Sequence, residues 1–199
     1  IPPLSQKPTP TSKVKRLYLC RHGETELNAN GVLQGRGVDQ YLNETGRKQA
    51  ELLRDRFANV PIDVFVSSRL KRAKQTAEIV KQNHPDAPLV EIEGLAEISW
   101  GDWEGEKVPA LNGLLASWED GKYDAKSPSG ESPMDVEERS VPALYGMLER
   151  PEQTFLVVVH GRLLRIMMSS IFYHTLRHMQ SFTHHNTTVN IVDVIIETD

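Results

Sequence analysis

The sequence of 199 residues has one cysteine, no long apolar run and no excess of basic residues. The lone cysteine, Cys20, excludes an internal disulfide and suits a reducing compartment, so we expect a cytoplasmic protein. No apolar run approaches the roughly 18–20 residues that a transmembrane helix needs. Because acidic residues outnumber basic ones, 27 to 23, neither a nucleic acid nor a membrane surface is expected as a partner.

The two ends of the chain differ in composition. Residues 1–13 are rich in Pro, Ser, Thr and Lys, and we expect them to form a flexible N-terminal tail. Residues 14–199 are enough for one domain with a buried core, and we expect a single domain there. The chain begins at Ile1 rather than at methionine, so the possibility of a removed targeting segment stays open. The oligomeric state is not predicted.

Apolar runs alternate with helical spacings along the chain. The predicted strands lie at about 16–20, 62–66, 89–92, 155–159 and 189–196. The predicted helices lie at about 44–58, after Ser68, and at about 108–119, 134–149 and 162–173. We expect Ser67 and Ser68 to cap the helix that follows them. Strands that alternate with helices are typical of an α/β sandwich with a largely parallel sheet.

Three predicted strands lead into the same kind of polar residue. Arg21 and His22 follow the first strand, and His160 follows a later one. Arg72 lies in the first turn of the helix that follows the second strand. Because the carboxyl ends of parallel strands meet at one edge of a sheet, we expect these four side chains to lie close together. The helix that starts at Gly161 would also direct its N-terminal amides to that edge, which favours an anion.

Such a pocket suits phosphate and the transfer of a phosphoryl group. Two guanidiniums and two imidazoles make a focused positive site in an acidic chain. A neutral histidine can attack phosphorus, and a carboxylic acid can protonate the departing alcohol and later activate water. The loop at 94–105 supplies three candidate acids, Glu97, Asp102 and Glu104, and composition alone does not choose among them.

Five segments in order resemble the motifs of the histidine phosphatase superfamily, the phosphoglycerate mutase-like group with an Arg-His-Gly motif. The segments are 21–25 with Asn28, 68–73 with Thr76, 95–105, 130–132 with Asp135 and Arg139, and 160–161 with Arg165. Together they span about 17–197, nearly the whole chain. The resemblance implies a three-layer α/β/α sandwich of the phosphoglycerate mutase-like kind, in agreement with the predicted order of elements.

The resemblance also implies roles for individual residues. His22 would be the nucleophile that becomes phosphorylated, and Glu97 would be the general acid and then the base for water. The residues implied to bind the transferring phosphoryl group are Arg21, Asn28, Arg72, His160 and Gly161. No metal and no other cofactor is implied, because the arginines and His160 supply the electrostatic stabilisation.

The expected substrate is a small-molecule phosphoester, a sugar phosphate or a similar compound. The candidate specificity residues are Gln34, Gly35, Glu131, Ser132 and Arg162. Many relatives have a second glycine after the His-Gly pair, whereas this chain has Arg162. A bulky cation there would narrow the pocket or add a contact to a substrate phosphate.

The segment after Glu97 favours one branch of the superfamily. Residues 97–105 resemble the compact phosphatase branch, whereas the cofactor-dependent mutases have a longer segment there. We therefore expect hydrolysis of a phosphomonoester. Two alternatives stay open, a phosphomutase acting on a sugar or glycerate phosphate, and a non-catalytic phosphate-binding protein with the same fold.

Overall fold

The computed structural model describes residues 1–197, which form a five-stranded sheet with helices on both faces. The strands are β1 (Ser12–Arg21), β2 (Val64–Ser67), β3 (Leu89–Glu91), β4 (Thr154–Val159) and β5 (Val189–Glu197). The helices are α1 (Glu26–Ala29), α2 (Glu44–Phe57), α3 (Lys71–Lys81), α4 (Leu111–Glu119), α5 (Pro133–Leu148) and α6 (Gly161–Tyr173). Short 3-10 turns cover Glu93–Leu95, Gly101–Trp103 and Leu176–Ser181. Within the described residues, no helix is both long enough and apolar enough to cross a membrane.

The sheet has the strand order β3-β2-β4-β1-β5. The first four strands run parallel, and β5 closes the sheet antiparallel to β1. In the β1–β4 pair Arg21 lies opposite Val159, so the residues that follow the two strands emerge side by side. On the other side of β4, β2 pairs with it and leads into α3. The predicted α/β architecture with a largely parallel sheet is confirmed.

Alternate residues of the strands point to opposite faces of the sheet and pack into two separate hydrophobic cores. On one face Tyr18, Phe65 and Leu156 pack with residues of α2 and α3. On the opposite face Leu19 and Val157 pack with residues of α4, α5 and α6. All five side chains are at most 2% exposed, and burying each contributes about 1.5–3 kcal/mol. The sheet is therefore the middle layer of a three-layer α/β/α sandwich.

The start of one strand and the capping of one helix differ from the sequence prediction. Strand β1 begins at Ser12, four residues before its predicted start, because β5 pairs with it along that extension. Helix α3 begins at Lys71, with Leu70 at the N-cap position and no side-chain cap. The prediction that Ser67 and Ser68 cap this helix is therefore wrong, and the Ser68 hydroxyl instead contacts His160 in the site described below.

The N-terminal residues contact the outer strand pair through Arg16. Its guanidinium donates to Asp193 at 2.7 and 2.8 Å, and also to the carbonyls of Pro2 and Pro3 at 2.5 and 2.8 Å. The Ser5 amide donates to the same carboxylate at 2.8 Å. The single domain predicted over residues 14–199 ends two residues beyond the described part of the chain.

The loop that follows β1 crosses the first turn of α2 at very short range. A Cβ atom on Gly46 would lie 2.0 Å from the Glu24 carbonyl oxygen, and one on Gly23 would lie 2.6 Å from the Gly46 oxygen. Neither position can carry a side chain unless the backbone moves. This contact holds the segment next to His22 against α2.

We expect Gly46→Ala to lower the free energy of unfolding by about 1–3 kcal/mol, because its methyl group would overlap the Glu24 backbone. The matched control is Gly113→Ala in α4, where a Cβ would meet nothing within 4 Å. That change should raise the free energy of unfolding by up to about 1 kcal/mol through helix propensity. Urea denaturation measures both, and equal effects of the two substitutions would contradict the close contact.

Candidate active site

A cleft with a volume of about 200 Å³ opens beyond the carboxyl ends of β1 and β4. Nine of the residues singled out in the sequence line it: Arg21, His22, Asn28, Gln34, Gly35, Arg72, Glu97, Gly161 and Arg162. The lining contains four arginines and a single carboxylate, that of Glu97. The site is therefore strongly positive although the chain as a whole is acidic.

His22 is the buried imidazole at the floor of this cleft. Its Nδ1 lies 2.7 Å from the carbonyl oxygen of Gly23. Because a carbonyl only accepts hydrogen bonds, Nδ1 carries the proton and Nε2 keeps its lone pair. Burial, followed by the charges of Arg72 and Arg21, lowers the pKa of His22 well below its usual value. The ring is therefore neutral at neutral pH, with Nε2 available for chemistry.

Arg21 and Arg72 flank His22, and backbone carbonyls hold both of them. Arg21 Nη1 donates to the carbonyl of His184 at 2.7 Å, and Arg72 Nη2 donates to that of Gly35 at 2.7 Å. In each guanidinium the Nε atom is buried and has no partner within residues 1–197. A Cβ on Gly161 would lie only 3.1 Å from Arg21 Nε, so a glycine there lets the guanidinium lie against the start of α6.

His160 is fully buried next to His22 and is not among the residues that line the cleft. The centroids of the two rings are 5.3 Å apart, a direct result of the β1–β4 pairing. His160 Nε2 lies 2.6 Å from the Ser68 hydroxyl, whereas its Nδ1 is buried without a partner among the described residues. Burial, then the charge of Arg72 and the neighbouring His22, lowers the pKa of His160 well below its usual value.

Backbone amides at the start of α6 hold the Glu97 carboxylate. Its Oε1 accepts from the amides of Ile98 and Leu163, each at 2.9 Å, and its Oε2 accepts from the amide of Arg162 at 3.2 Å. The N-terminal end of a helix favours a negative charge, so α6 fixes this carboxylate at the edge of the cleft.

The other two candidate acids lie elsewhere. Glu104 accepts from the amides of Arg36, Gly37 and Trp100, and so joins two loops at the cleft rim. Asp102 lies in the 3-10 turn Gly101–Trp103. Glu97 is the only one of the three that lines the cleft in the part of the chain that the structure describes.

Glu131 and Ser132 support the cleft rather than line it. Glu131 accepts from Arg139 at 2.7 and 2.8 Å and from the Ser99 amide at 2.9 Å. Burial alone would raise the pKa of the Glu131 carboxyl, but these hydrogen bonds hold it below its usual value. Ser132 is the N-cap of α5 and accepts from the Asp135 amide. A role for Glu131 and Ser132 in specificity stays a prediction.

Arg139 connects α5 to the loop that carries Glu97. Besides its ion pair with Glu131, it donates to the carbonyls of Gly94, Ala96 and Glu97 at 2.9–3.0 Å. Arg139 therefore sets the position of Glu97 from behind, while the amides of α6 orient its carboxylate.

Two polar lining residues, Arg165 and His184, are absent from the sequence-based site. Arg165 belongs to the last motif segment but is given no role in the predicted site, although it lies three residues after Arg162 on α6, a spacing that puts both on one helix face. His184 comes from the irregular segment after α6, and no local pattern marks it. Asn28 and Gln34 both line the cleft, and both contact Thr25: Asn28 Oδ1 accepts from the Thr25 amide, and Gln34 Nε2 donates to the Thr25 hydroxyl.

Residues 17–197 match the model of the histidine phosphatase superfamily, branch 1, and the chain belongs to this superfamily. A probable phosphatase of Schizosaccharomyces pombe is 40% identical over 100 residues, which are 50% of this chain and 47% of that protein. The chain thus spans about half the length of that relative. The probable phosphoglycerate mutase GpmB of Proteus mirabilis is 34% identical over 161 residues, 78% of this chain and 74% of the relative.

A solved structure shows the same arrangement of the sheet and its helices. The alpha-ribazole phosphatase from Shigella flexneri superposes with a TM-score of 0.77 at 26% sequence identity. The match covers 88% of this chain and 89% of that one. The relatives thus include proteins named as phosphatases and proteins named as mutases.

We expect stability to fall as the pH drops from about 6.5 toward 5. Burial, then the charge of Arg165, lowers the pKa of His184 to about 4, and those of His22 and His160 are also lowered. In this range the unfolded chain binds protons on these histidines, whereas the native state does not. The free energy of unfolding therefore falls by up to about 1.4 kcal/mol per pH unit for each histidine. Urea denaturation across this range should show a smaller pH slope for His184→Asn. The exposed His185 gives the control, His185→Asn, and equal slopes in the two variants would contradict the assignment.

We expect Arg139→Gln to cost about 2–4 kcal/mol of stability, because it removes three carbonyl contacts and leaves the Glu131 charge without its main partner. Combining it with Glu131→Gln should cost less than the sum of the single changes. The control is Arg69→Gln, which breaks an exposed ion pair with Glu93 and should change stability by less than about 1 kcal/mol. Strict additivity in the double variant would refute the coupling.

Proposed function

We propose that this protein is a metal-independent phosphatase that hydrolyses a small phosphomonoester through a phosphohistidine on His22. The observation that carries the proposal is a group of buried nitrogen atoms that have no hydrogen-bond partner within residues 1–197, namely Arg21 Nε, Arg72 Nε and His160 Nδ1. Unsatisfied buried donors are rare in native proteins. The oxygens of a phosphoryl group over His22 would give each of them an acceptor. His160 Nδ1 donates there when the Ser68 hydroxyl donates to its Nε2.

The first half-reaction uses the lone pair on His22 Nε2. That nitrogen attacks phosphorus as the bond between phosphorus and the alcohol oxygen breaks, and protonated Glu97 transfers its proton to that oxygen. The phosphorylated ring keeps its Nδ1 proton, so it becomes positively charged. The Gly23 carbonyl that accepts from Nδ1 then stabilises this charge. Arg21 and Arg72 neutralise the equatorial oxygens in the transition state.

The second half-reaction returns the enzyme to its starting state. Ionised Glu97 takes a proton from water while the water oxygen attacks phosphorus. The bond between phosphorus and Nε2 breaks, and its electron pair returns to the ring. Inorganic phosphate leaves, and Glu97 is again protonated for the next cycle.

Two further residues support phosphate binding in this scheme. The Asn28 carboxamide is oriented by the bond from the Thr25 amide to its Oδ1, which leaves its Nδ2 as a donor at the cleft. Gly161 begins α6, whose N-terminal amides favour an anion. Gln34, Gly35 and Arg162 line the same cleft and are proposed to contact the rest of the substrate.

A phosphomutase is the second candidate, favoured by the similarity to GpmB over 78% of the chain. The same phosphohistidine would then return its phosphoryl group to a second hydroxyl of the substrate instead of to water. A bisphosphorylated primer should stimulate a mutase, whereas it should not stimulate a phosphatase.

We expect single-turnover reaction with p-nitrophenyl phosphate to add one phosphoryl group to wild type, detected by intact-mass analysis after a non-acidic quench. The adduct should be acid-labile and absent from His22→Ala. Glu97→Gln should accumulate it, because nitrophenolate leaves without an acid while water then lacks its base. Steady-state turnover should fall by about 10²–10⁴-fold in Glu97→Gln.

The control is His185→Ala, which removes an exposed histidine outside the cleft and should form the adduct like wild type. Turnover that persists in His22→Ala would place the chemistry elsewhere. A folded wild-type protein with neither adduct nor turnover on any phosphoester would leave a phosphate-binding protein as the remaining function.

A further inference from the structure

We infer that Arg162 and Arg165 form a second anion site, so that the substrate is a phosphomonoester whose alcohol carries another acidic group, a carboxylate or a second phosphate. This inference rests on the proposed function, and it concerns the alcohol part of the substrate, which is not transferred to His22. Arg162 and Arg165 lie one turn apart on α6, and both line the cleft.

Gln180 holds both guanidiniums in one place. Its Oε1 accepts from Arg162 Nη1 at 3.0 Å and from Arg165 Nη1 at 3.4 Å. The Arg162 guanidinium also stacks over the Trp118 ring, 5.6 Å from its centroid. The two cations are thus fixed side by side before any substrate binds, a geometry that suits an acidic group with two oxygens.

Within residues 1–197, none of the four cleft arginines lies within ion-pair distance of a carboxylate, although six other arginines do. Burial, then the charge of the neighbouring Arg165, lowers the pKa of Arg162 to about 10, which reflects the cost of burying one cation beside another. An anion placed between the two guanidiniums would remove that cost.

The four arginines divide into two groups according to what surrounds them. The charges that depress the pKa of His22 are those of Arg72 and Arg21 alone. The Glu97 carboxylate acts on all four arginines, but Arg162 and Arg165 are not among the charges that shift His22, and the Arg162 amide binds Glu97 directly. Because the leaving alcohol must lie next to Glu97 to receive its proton, these two arginines face the leaving group and not the transferring phosphoryl group.

The inference predicts a preference between substrates that differ in one acidic group. One pair is 3-phosphoglycerate against glycerol 3-phosphate, which differ by a carboxylate. The other is fructose 1,6-bisphosphate against fructose 6-phosphate, which differ by a phosphate. In at least one pair the more acidic member should have a kcat/KM at least about tenfold higher, the range expected for a charged hydrogen bond.

Arg162→Gln and Arg165→Gln should each reduce that preference to about threefold or less. The backbone amide that orients Glu97 is kept in Arg162→Gln, so a selective loss reports the guanidinium and not a displaced acid. The control is Arg177→Gln, an exposed arginine on the adjoining 3-10 turn outside the cleft, which should keep the wild-type preference.

Calorimetric binding of the same four compounds to His22→Ala separates this inference from the proposed function. Tighter binding of the acidic member, lost in Arg162→Gln, would uphold the anion site even if no compound is hydrolysed. Hydrolysis with no preference in either pair, or with a preference that survives both arginine changes, would overturn the anion site and leave the phosphatase in place.

Discussion

The parallel pairing of β1 with β4 is the constraint on which the whole cleft depends. It places Arg21 opposite Val159, so that His22 and His160 leave the sheet as neighbours with ring centroids 5.3 Å apart. Leu19 and Val157 lie in one hydrophobic core, and Tyr18 and Leu156 lie in the other. A one-residue slip of either strand would exchange its two faces and move its apolar side chains out of their cores. Hydrophobic packing on both sides of the sheet therefore fixes the distance between the two histidines.

Burying several cations together is costly, and the structure offsets the cost in two different ways. Carbonyl oxygens of loop residues accept from Arg21 and Arg72, which keeps the guanidiniums oriented without cancelling their charge. The imidazoles stay neutral, since protonation of His22 would add a third positive charge to the group. The result is a site that is rigid and strongly positive, as electrostatic stabilisation of phosphoryl transfer requires.

The sequence predicts the strand ends well because a buried strand is a local signal, and after β1 and β4 a His-Gly pair marks the end. His22, Arg72 and His160 could therefore be assigned to one edge of the sheet before the structure was known. Ser68 could not, since its hydroxyl could cap α3 or bind His160, and only the distance between β2 and β4 decides. The same limit applies to His184, which reaches the cleft from a segment that is distant in sequence.

The attachment of Glu97 to α6 involves main-chain amides only, those of Arg162 and Leu163. Every residue except proline supplies such an amide, so the side chain at position 162 can be exchanged while the carboxylate keeps its place. What this part of the cleft contacts can thus change while Glu97 keeps its position. Many substrate preferences can arise on one scaffold in this way, each a small number of substitutions from the next.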